Sequence, residues 1–423
     1  MQLVPAERMQ GTVRVPGDQS IAHRALILGS IARGKHVVEG IPTAADVQST
    51  VSCLRQLGTF IEEMPDGRVL VLAKDLADGR TLHAGSSLTT AILLAGLLAG
   101  HPLRTTIDGE GFLASYPMER IAEPLRLMGA TVTTSSGQLP MTIEGGRLKG
   151  IDYRPATASA RIKAAVLIAG LLAEGETVVA EPIRTQDHTE RLLAAMSVRV
   201  AENDRGISVR GGAPPKAIQV SVPGDITLAS LFTVAALCLG DSEVYLPTVG
   251  VNPTRTGLMD VLVDMGADIE YVNRDTFLEE PIADIAVRSS KLNGTTVGSD
   301  LARSLVAELP ILAVAATQAV GETVLLCDDD LRREEGERIA STVAGLKVLG
   351  ADIEERGDGF VVRGPTPLNG GNVSACGDHR VAMAMAIAGL LADGGTEIDG
   401  GDAIERSYPT FFNDILAVAR MRG

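Results

Sequence analysis

Short clusters of hydroxyls, arginines and a lone carboxylate are where this chain could do chemistry. Asp18-Gln19-Ser20-Ile21-Ala22-His23-Arg24 opens an apolar stretch, as do Ser86-Ser87-Leu88-Thr89-Thr90 and Ser159-Ala160-Arg161-Ile162-Lys163. Hydroxyls and free backbone N–H groups at a helix start hold anions, and they also serve as plain N-caps. Both readings stay open for any single cluster, while their repetition at corresponding turns favours convergence on one anionic ligand. A basic set lies further along: Arg338 in Glu334-Glu335-Gly336-Glu337-Arg338, Arg380 in Gly377-Asp378-His379-Arg380, and Arg406 in Glu405-Arg406-Ser407-Tyr408-Pro409. The planar guanidinium grips carboxylate or phosphate through two parallel hydrogen bonds, although each of these three is also a candidate for a surface ion pair. His23 and His379 read first as partners of neighbouring turns, and His36, His83 and His101 as surface or turn residues.

The elements that must position these groups repeat along the chain. Val13-Arg14-Val15-Pro16-Gly17-Asp18 returns as Val220-Ser221-Val222-Pro223-Gly224-Asp225, and each copy opens one half of the 423 residues. A β-branched run, a Pro-Gly turn and a capping Asp head each half, which points to duplication into two similar domains. A finer repeat runs from an apolar helix through a Gly turn into a strand, with turns at Gly34, Gly100, Gly175, Gly240, Gly321 and Gly394. Glycine takes the left-handed conformation after a helix that other residues resist. A second helix–turn–strand follows in most units, ending at Gly58, Gly129, Gly266 and Gly350, with Met196-Ser197 in the third. The first helices are apolar nearly all round, so burial within a domain is expected. Six α/β units, three per half, follow, and the paired openings favour two closed domains over a solenoid.

Composition bounds the function. The formal charge of −15 argues against nucleic acid, whose phosphates need clustered Lys and Arg. No apolar run reaches the roughly 18–20 residues of a membrane span, and the opening Met1-Gln-Leu-Val-Pro-Ala-Glu-Arg lacks the pattern of a signal peptide. Cys53, Cys238, Cys327 and Cys376 are scattered singly without metal-ligand spacing, as expected of small core residues in a reduced, cytoplasmic protein.

The chain closely resembles the 5-enolpyruvylshikimate-3-phosphate synthases. The resemblance rests on Val15-Pro16-Gly17-x-x-Ser20-Ile21-x-His23-Arg24-Ala25-Leu26, Ala165 to Thr177, Asp187-His188-Thr189-Glu190-Arg191, Val251 to Gly257, the stretch from Pro310, and Gly377-Asp378-His379-Arg380. It covers the whole chain in one order. It implies an α/β enolpyruvyl transferase fold of two domains, each of three βαβαββ units around buried helices, with a ligand cleft between them. The domains would be 1–17 with 224–423, and 18–223, crossing over near 14–18 and 220–225. The family reaction moves the enolpyruvyl group of phosphoenolpyruvate onto the 5-hydroxyl of shikimate 3-phosphate, with no metal or organic cofactor.

Carried over position by position, the family's site is partly kept. Ser20 and Arg24 match its shikimate-side pair, Ser159, Ala160 and Arg161 its Ser-Ala-Gln, Glu335 its proton-transferring glutamate, and Arg338, Arg380 and Arg406 its carboxylate and phosphate clamp, with Arg406 standing for Lys. Elsewhere it departs. Gln19 replaces a Lys, Ser86 an Asn, Ile92 and Tyr116 an Arg each, Gln186 an Arg, Ala307 the catalytic Asp, and Glu334 a Lys. Four cations are gone and one is reversed, while only Arg161 is added. Each lost charge-assisted hydrogen bond typically costs about 1.5–3 kcal/mol. The expectation is therefore an enzyme of this ancestry acting on a shikimate-like cyclic polyol carboxylate, by carboxyvinyl transfer or a related addition–elimination such as dehydration. The alternatives are an ordinary 3-phosphoshikimate 1-carboxyvinyltransferase, in which Arg161 compensates, and a non-catalytic binding protein.

Overall fold

A computed structural model of the chain describes residues 2–422, with the side chains of residues 330, 333 and 334 outside that description. The expectation for Glu334 as an altered anion contact thus falls outside the described residues.

The repeating element is a βαβαββ unit. Thr81–His83, helix Leu88–Ala99, Arg104–Asp108, helix Glu119–Met128, Thr131–Ser135 and Gln138–Glu144 follow in that order. Their strands form one sheet in which the first two run parallel and the last two antiparallel, Leu82 facing Ile107 and Val132 facing Ile143. The strand from Asp152 to Tyr153 opens a second copy and that from Thr296 to Val297 a third, each with the same strand order. Right-handed crossovers through a helix are what a parallel pair requires, and here the helix is the buried one.

Six such helices carry the cores: α1 (Gln19–Gly29), α2 (Leu88–Ala99), α3 (Ala160–Leu171), α4 (Ile226–Cys238), α5 (Leu309–Gln318) and α6 (His379–Leu391). All present apolar residues around most of their circumference, so each packs inside its domain rather than along one face. Small residues permit this. A Cβ added at Gly96 of α2 would lie 2.3 Å from the Ala165 carbonyl oxygen of α3, so only glycine lets these two helices approach so closely.

The chain divides into two compact units. The first comprises Met1–Pro16, Pro223–Asp275 and Pro281–Gly423, and the second Gly17–Val222 with Thr276–Glu280. Each has its own apolar core, built on α4, α5 and α6 in the first unit and on α1, α2 and α3 in the second.

Three local expectations are corrected. The left-handed residue falls on Gly at 34, 175, 321 and 394, but Gly100 has φ −86° and the turn after α4 places Asp241, not Gly240, at φ 52°. At position 100 the glycine serves packing instead, since a Cβ there would meet that of Leu172 at 2.4 Å. Ser197 adopts φ 64° where the other units have glycine. His36 is not a surface residue: it is fully buried in strand His36–Glu39, where its Nδ1 accepts from the Ile218 amide at 3.3 Å. Cys376 is exposed at φ 50° in the turn before α6, whereas Cys53 and Cys327 are buried and burial raises both thiols to about 11.

Candidate functional site

In the second unit the chemistry starts from one helix cap. Asp18 accepts from the Ile21 amide at 3.0 Å and starts α1, which then buries a histidine and an arginine in consecutive positions. Arg24 is 1% exposed, a burial a guanidinium tolerates only when its donors are satisfied. Its Nε donates to Thr189 Oγ1 at 2.7 Å, and its Nη1 to Ser20 Oγ and the Ser20 carbonyl, both at 2.8 Å. Burial lowers its pKa to about 10; Glu190 and Asp18 oppose the shift and the Arg161 charge adds to it. The Ser20 hydroxyl is thereby oriented.

His23 enters a buried hydroxyl chain. Its Nδ1 lies 2.7 Å from Thr50 Oγ1, which lies 2.7 Å from Thr90 Oγ1, which in turn donates to Ser87 Oγ at 2.8 Å. Burial first, then Arg24 and Arg161, hold the imidazole down at about 3, so it is neutral at pH 7. Ser87 caps α2 through the Thr90 amide, and Ser159 caps α3 through the Ile162 amide at 3.4 Å. From the first turn of α3, the exposed Arg161 donates through Nε to Thr89 Oγ1 at 3.1 Å. Below it Lys163, 1% exposed, bridges Glu181 Oε2 at 2.9 Å and Glu190 Oε1 at 2.6 Å. Burial raises the Glu190 carboxyl against the pull of Lys163. His188 meets Glu280 Oε1 through Nδ1 at 2.7 Å.

The first unit holds the proton-transfer candidate. Glu335 and Arg338 sit one turn apart on helix Asp329–Val348 and are paired, and Arg338 Nε donates to Asp378 Oδ2 at 2.7 Å. Asp378 does double duty, since its Oδ1 accepts from the amides of Arg380 and Val381 at 2.8 and 3.3 Å and so caps α6. Burial works against its charge, but Arg338 and Arg380 outweigh it and hold the carboxyl at about 2. Glu335 goes the other way: burial raises its pKa and Asp378 adds to that, against the opposing charges of Arg338 and Arg380. One carboxyl is locked as an anion beside another that takes a proton more readily than usual. His379, held near 3 by burial and then by Arg380, feels Arg406 as well, so the Arg406 charge also falls in this neighbourhood.

Sequence reasoning named most of these residues and missed their partners. Thr189 and Asp378 lie inside quoted motifs and Thr50 in none, but only the fold shows that they contact Arg24, Arg338 and His23. The altered positions behave differently from one another. Gln19 and Gln186 are half-buried and Ser86 is exposed, but Ile92 is fully buried in the core of the second unit, because an apolar side chain at that turn of α2 packs inward. Tyr116 leans edge-on against Phe112 with centroids 5.8 Å apart, and its hydroxyl accepts from Arg120 Nη1 at 3.2 Å. Ala307 lines a small pocket with Thr227, Leu231, Ile311, Arg380 and Met383. Behind that pocket Thr227 donates to the buried Glu308 and accepts from Arg255 Nη2 at 2.7 Å. Among the described residues no group of three or more His, Cys, Asp or Glu is placed to hold a metal ion, and no helix is long and apolar enough to cross a membrane.

Two units of repeated βαβαββ build define the enolpyruvyl transferase class of fold. The comparisons narrow this further. The family model of EPSP synthase (3-phosphoshikimate 1-carboxyvinyltransferase) matches residues 3–415, and the chain belongs to that family. It is 40% identical over 426 residues to the 3-phosphoshikimate 1-carboxyvinyltransferase of Brevibacillus brevis, spanning 99% of this chain and 100% of that one. It is 44% identical to that of Gloeobacter violaceus, spanning 98% of each. An EPSP synthase structure from Acinetobacter baumannii superposes with a TM-score of 0.90 at 37% identity, over 99% of this chain and 98% of that one. These likenesses give no support to a lyase or dehydratase.

Proposed function

We propose that the chain transfers the carboxyvinyl group of phosphoenolpyruvate to a ring hydroxyl of shikimate 3-phosphate, the activity for which its relatives are named. This replaces the altered-substrate reaction as the leading reading. The observation that carries it is Glu335 set among Arg338, Asp378 and Arg380. A carboxyl whose proton affinity is raised by burial is better suited than an ordinary one to donate and recover a proton. The neighbouring arginines suit the carboxylate and phosphate of the donor. Ser20 and Arg24, oriented in the second unit, suit the acceptor. Full-length likeness at about 40% identity supports the same reading.

A coupled phosphate-release assay with both substrates tests it. Phosphate should appear only when both are present, and Glu335→Gln should lower kcat by about 10²–10⁴. Absence of phosphate release by the unmodified chain contradicts the proposal. A second reading, turnover of an unphosphorylated cyclic polyol acid without phosphoenolpyruvate, is favoured by one observation: the methyl of Ala307 stands where the family has a carboxylate, against Leu231, Ile311 and Met383. Heat on titrating shikimate, with none on titrating phosphoenolpyruvate, is its signature.

A further inference from the structure

We infer that Lys163 is a positioning residue for the acceptor: it holds the buried Glu190 carboxylate off Arg24, and so keeps two N–H groups of that guanidinium open to an anionic ligand. The inference rests on the proposed carboxyvinyl transfer for the identity of the acceptor, but not for the geometry of the cluster.

A guanidinium carries five N–H groups, and the hydrogen bonds of Arg24 account for three. Nε serves Thr189, and Nη1 serves the Ser20 hydroxyl and carbonyl. Among the described residues nothing accepts from Nη2, and no carboxylate forms an ion pair with Arg24. Buried charges are ordinarily paired, so this one is an exception with candidates close by. The charges of three carboxylates act on Arg24: Glu190 most strongly, then Asp18, then Glu280. Each is engaged elsewhere. Asp18 caps α1 through the Ile21 amide, Glu280 meets His188, and Glu190 meets Lys163.

Glu190 has the strongest reason to turn. On helix His188–Ala195 it follows Thr189, the residue that holds Arg24 Nε. It is 8% exposed and neither of its oxygens accepts a hydrogen bond, so the Lys163 ammonium at 2.6 Å is what holds it. Lys163 reaches it from α3 and is anchored in turn by Glu181 Oε2 at 2.9 Å. Glu181 is fixed by the Thr185 hydroxyl, which donates to its other oxygen. Arg24 and Lys163 then balance Glu181 and Glu190 in charge. Without the ammonium, two buried carboxylates would face one guanidinium that has two unused donors, and paired N–H···O contacts of that kind are the strong ones. An apolar side chain at 163 would also tie α3 to helix His188–Ala195, since apolar packing often replaces a buried ion pair without loss of stability. Occupying Glu190 takes a cation.

Calorimetric titration of the full chain with shikimate 3-phosphate tests the inference. Lys163→Met should weaken binding by about tenfold to a hundredfold, the loss of one charge-assisted contact, because Glu190 then pairs with Arg24. Adding Glu190→Gln to Lys163→Met should recover most of that loss, which a merely structural role for Lys163 does not allow. Glu190→Gln alone should bind at least as tightly as the unmodified chain. That variant keeps the pair of Lys163 with Glu181, and it decides the matter if thermal midpoints show that Lys163→Met unfolds. Unchanged affinity in Lys163→Met, no recovery in the double variant, or weaker binding by Glu190→Gln overturns the inference. Binding that follows the expected pattern in a chain that forms no product supports Lys163 and overturns the proposed reaction. If the unmodified chain does not bind shikimate 3-phosphate, the reading of the acceptor fails, and a crystal structure of Lys163→Met decides the rest: Glu190 paired with Arg24 supports the inference, and Glu190 unmoved overturns it.

Discussion

The two copies of the Val-x-Val-Pro-Gly-Asp segment start their helices in the same way and then part. Asp18 caps α1 through the Ile21 amide, and Asp225 caps α4 through the Thr227 amide at 2.9 Å. Ser20, His23 and Arg24 of the first helix stand at the positions of Thr227, Ser230 and Leu231 in the second. One helix buries a guanidinium in a web of hydroxyls, and the other buries a leucine at the edge of a small pocket. Duplication therefore preserved the backbone device and left the side chains free to specialise. In the proposed reaction the second unit binds, through Ser20 and Arg24, and the first moves the proton, through Glu335.

That division predicts which kinetic constant each substitution strikes. Glu335→Gln has the largest expected effect, about 10²–10⁴ in kcat with KM for shikimate 3-phosphate little altered. A comparable rise in KM would place Glu335 on the binding side and break the comparison. Arg24→Leu, which imposes the other helix's residue, should raise KM for shikimate 3-phosphate by about tenfold to a hundredfold. Its thermal midpoint should stay within a few degrees, because a buried charge is exchanged for apolar packing; unfolding would make Arg24 structural instead.

Buried histidines give a smaller, pH-dependent effect. Burial holds His23 and His379 at about 3 and His36 at about 4, against an ordinary 6.5. Between those values the unfolded chain takes up protons that the folded chain refuses. Stability should therefore fall as pH drops from about 6.5 toward 3, by up to about 1.4 kcal/mol per pH unit for each histidine. Denaturant midpoints across that range measure it. His23→Ser, again copied from the other helix, should flatten the slope by one histidine's share, and an unchanged slope would mean that His23 titrates normally in the fold. The smallest effect separates the caps. Asp18→Ala and Asp225→Ala should each cost about 0.5–2 kcal/mol of stability, but only Asp18→Ala should also weaken shikimate 3-phosphate binding.

Much of this was readable from residues alone, for a physical reason. Gly turns, capping aspartates and all-round apolar helices are local signals, so the six-unit repeat follows from periodicity. Arg24 and Glu335 were marked by motif. Their partners were not, since Thr189 lies 165 residues from Arg24 and Asp378 lies 40 from Arg338, and no local rule joins such pairs. His36 was misread for the same cause: its partner is the Ile218 amide, across a parallel strand pair. Gly240 looked like a left-handed turn residue because glycine usually is one, yet Asp241 takes that role. At the altered positions, sequence counted charges but could not see Arg120 standing on Tyr116.

Phosphorus NMR of the unmodified chain with phosphoenolpyruvate and shikimate 3-phosphate tests the central claim most directly. The account predicts that the phosphoenolpyruvate resonance gives way to inorganic phosphate in step with a new product, and that Glu335→Gln stops this while still binding shikimate 3-phosphate. A phosphoenolpyruvate signal that persists undiminished with both substrates bound would contradict it.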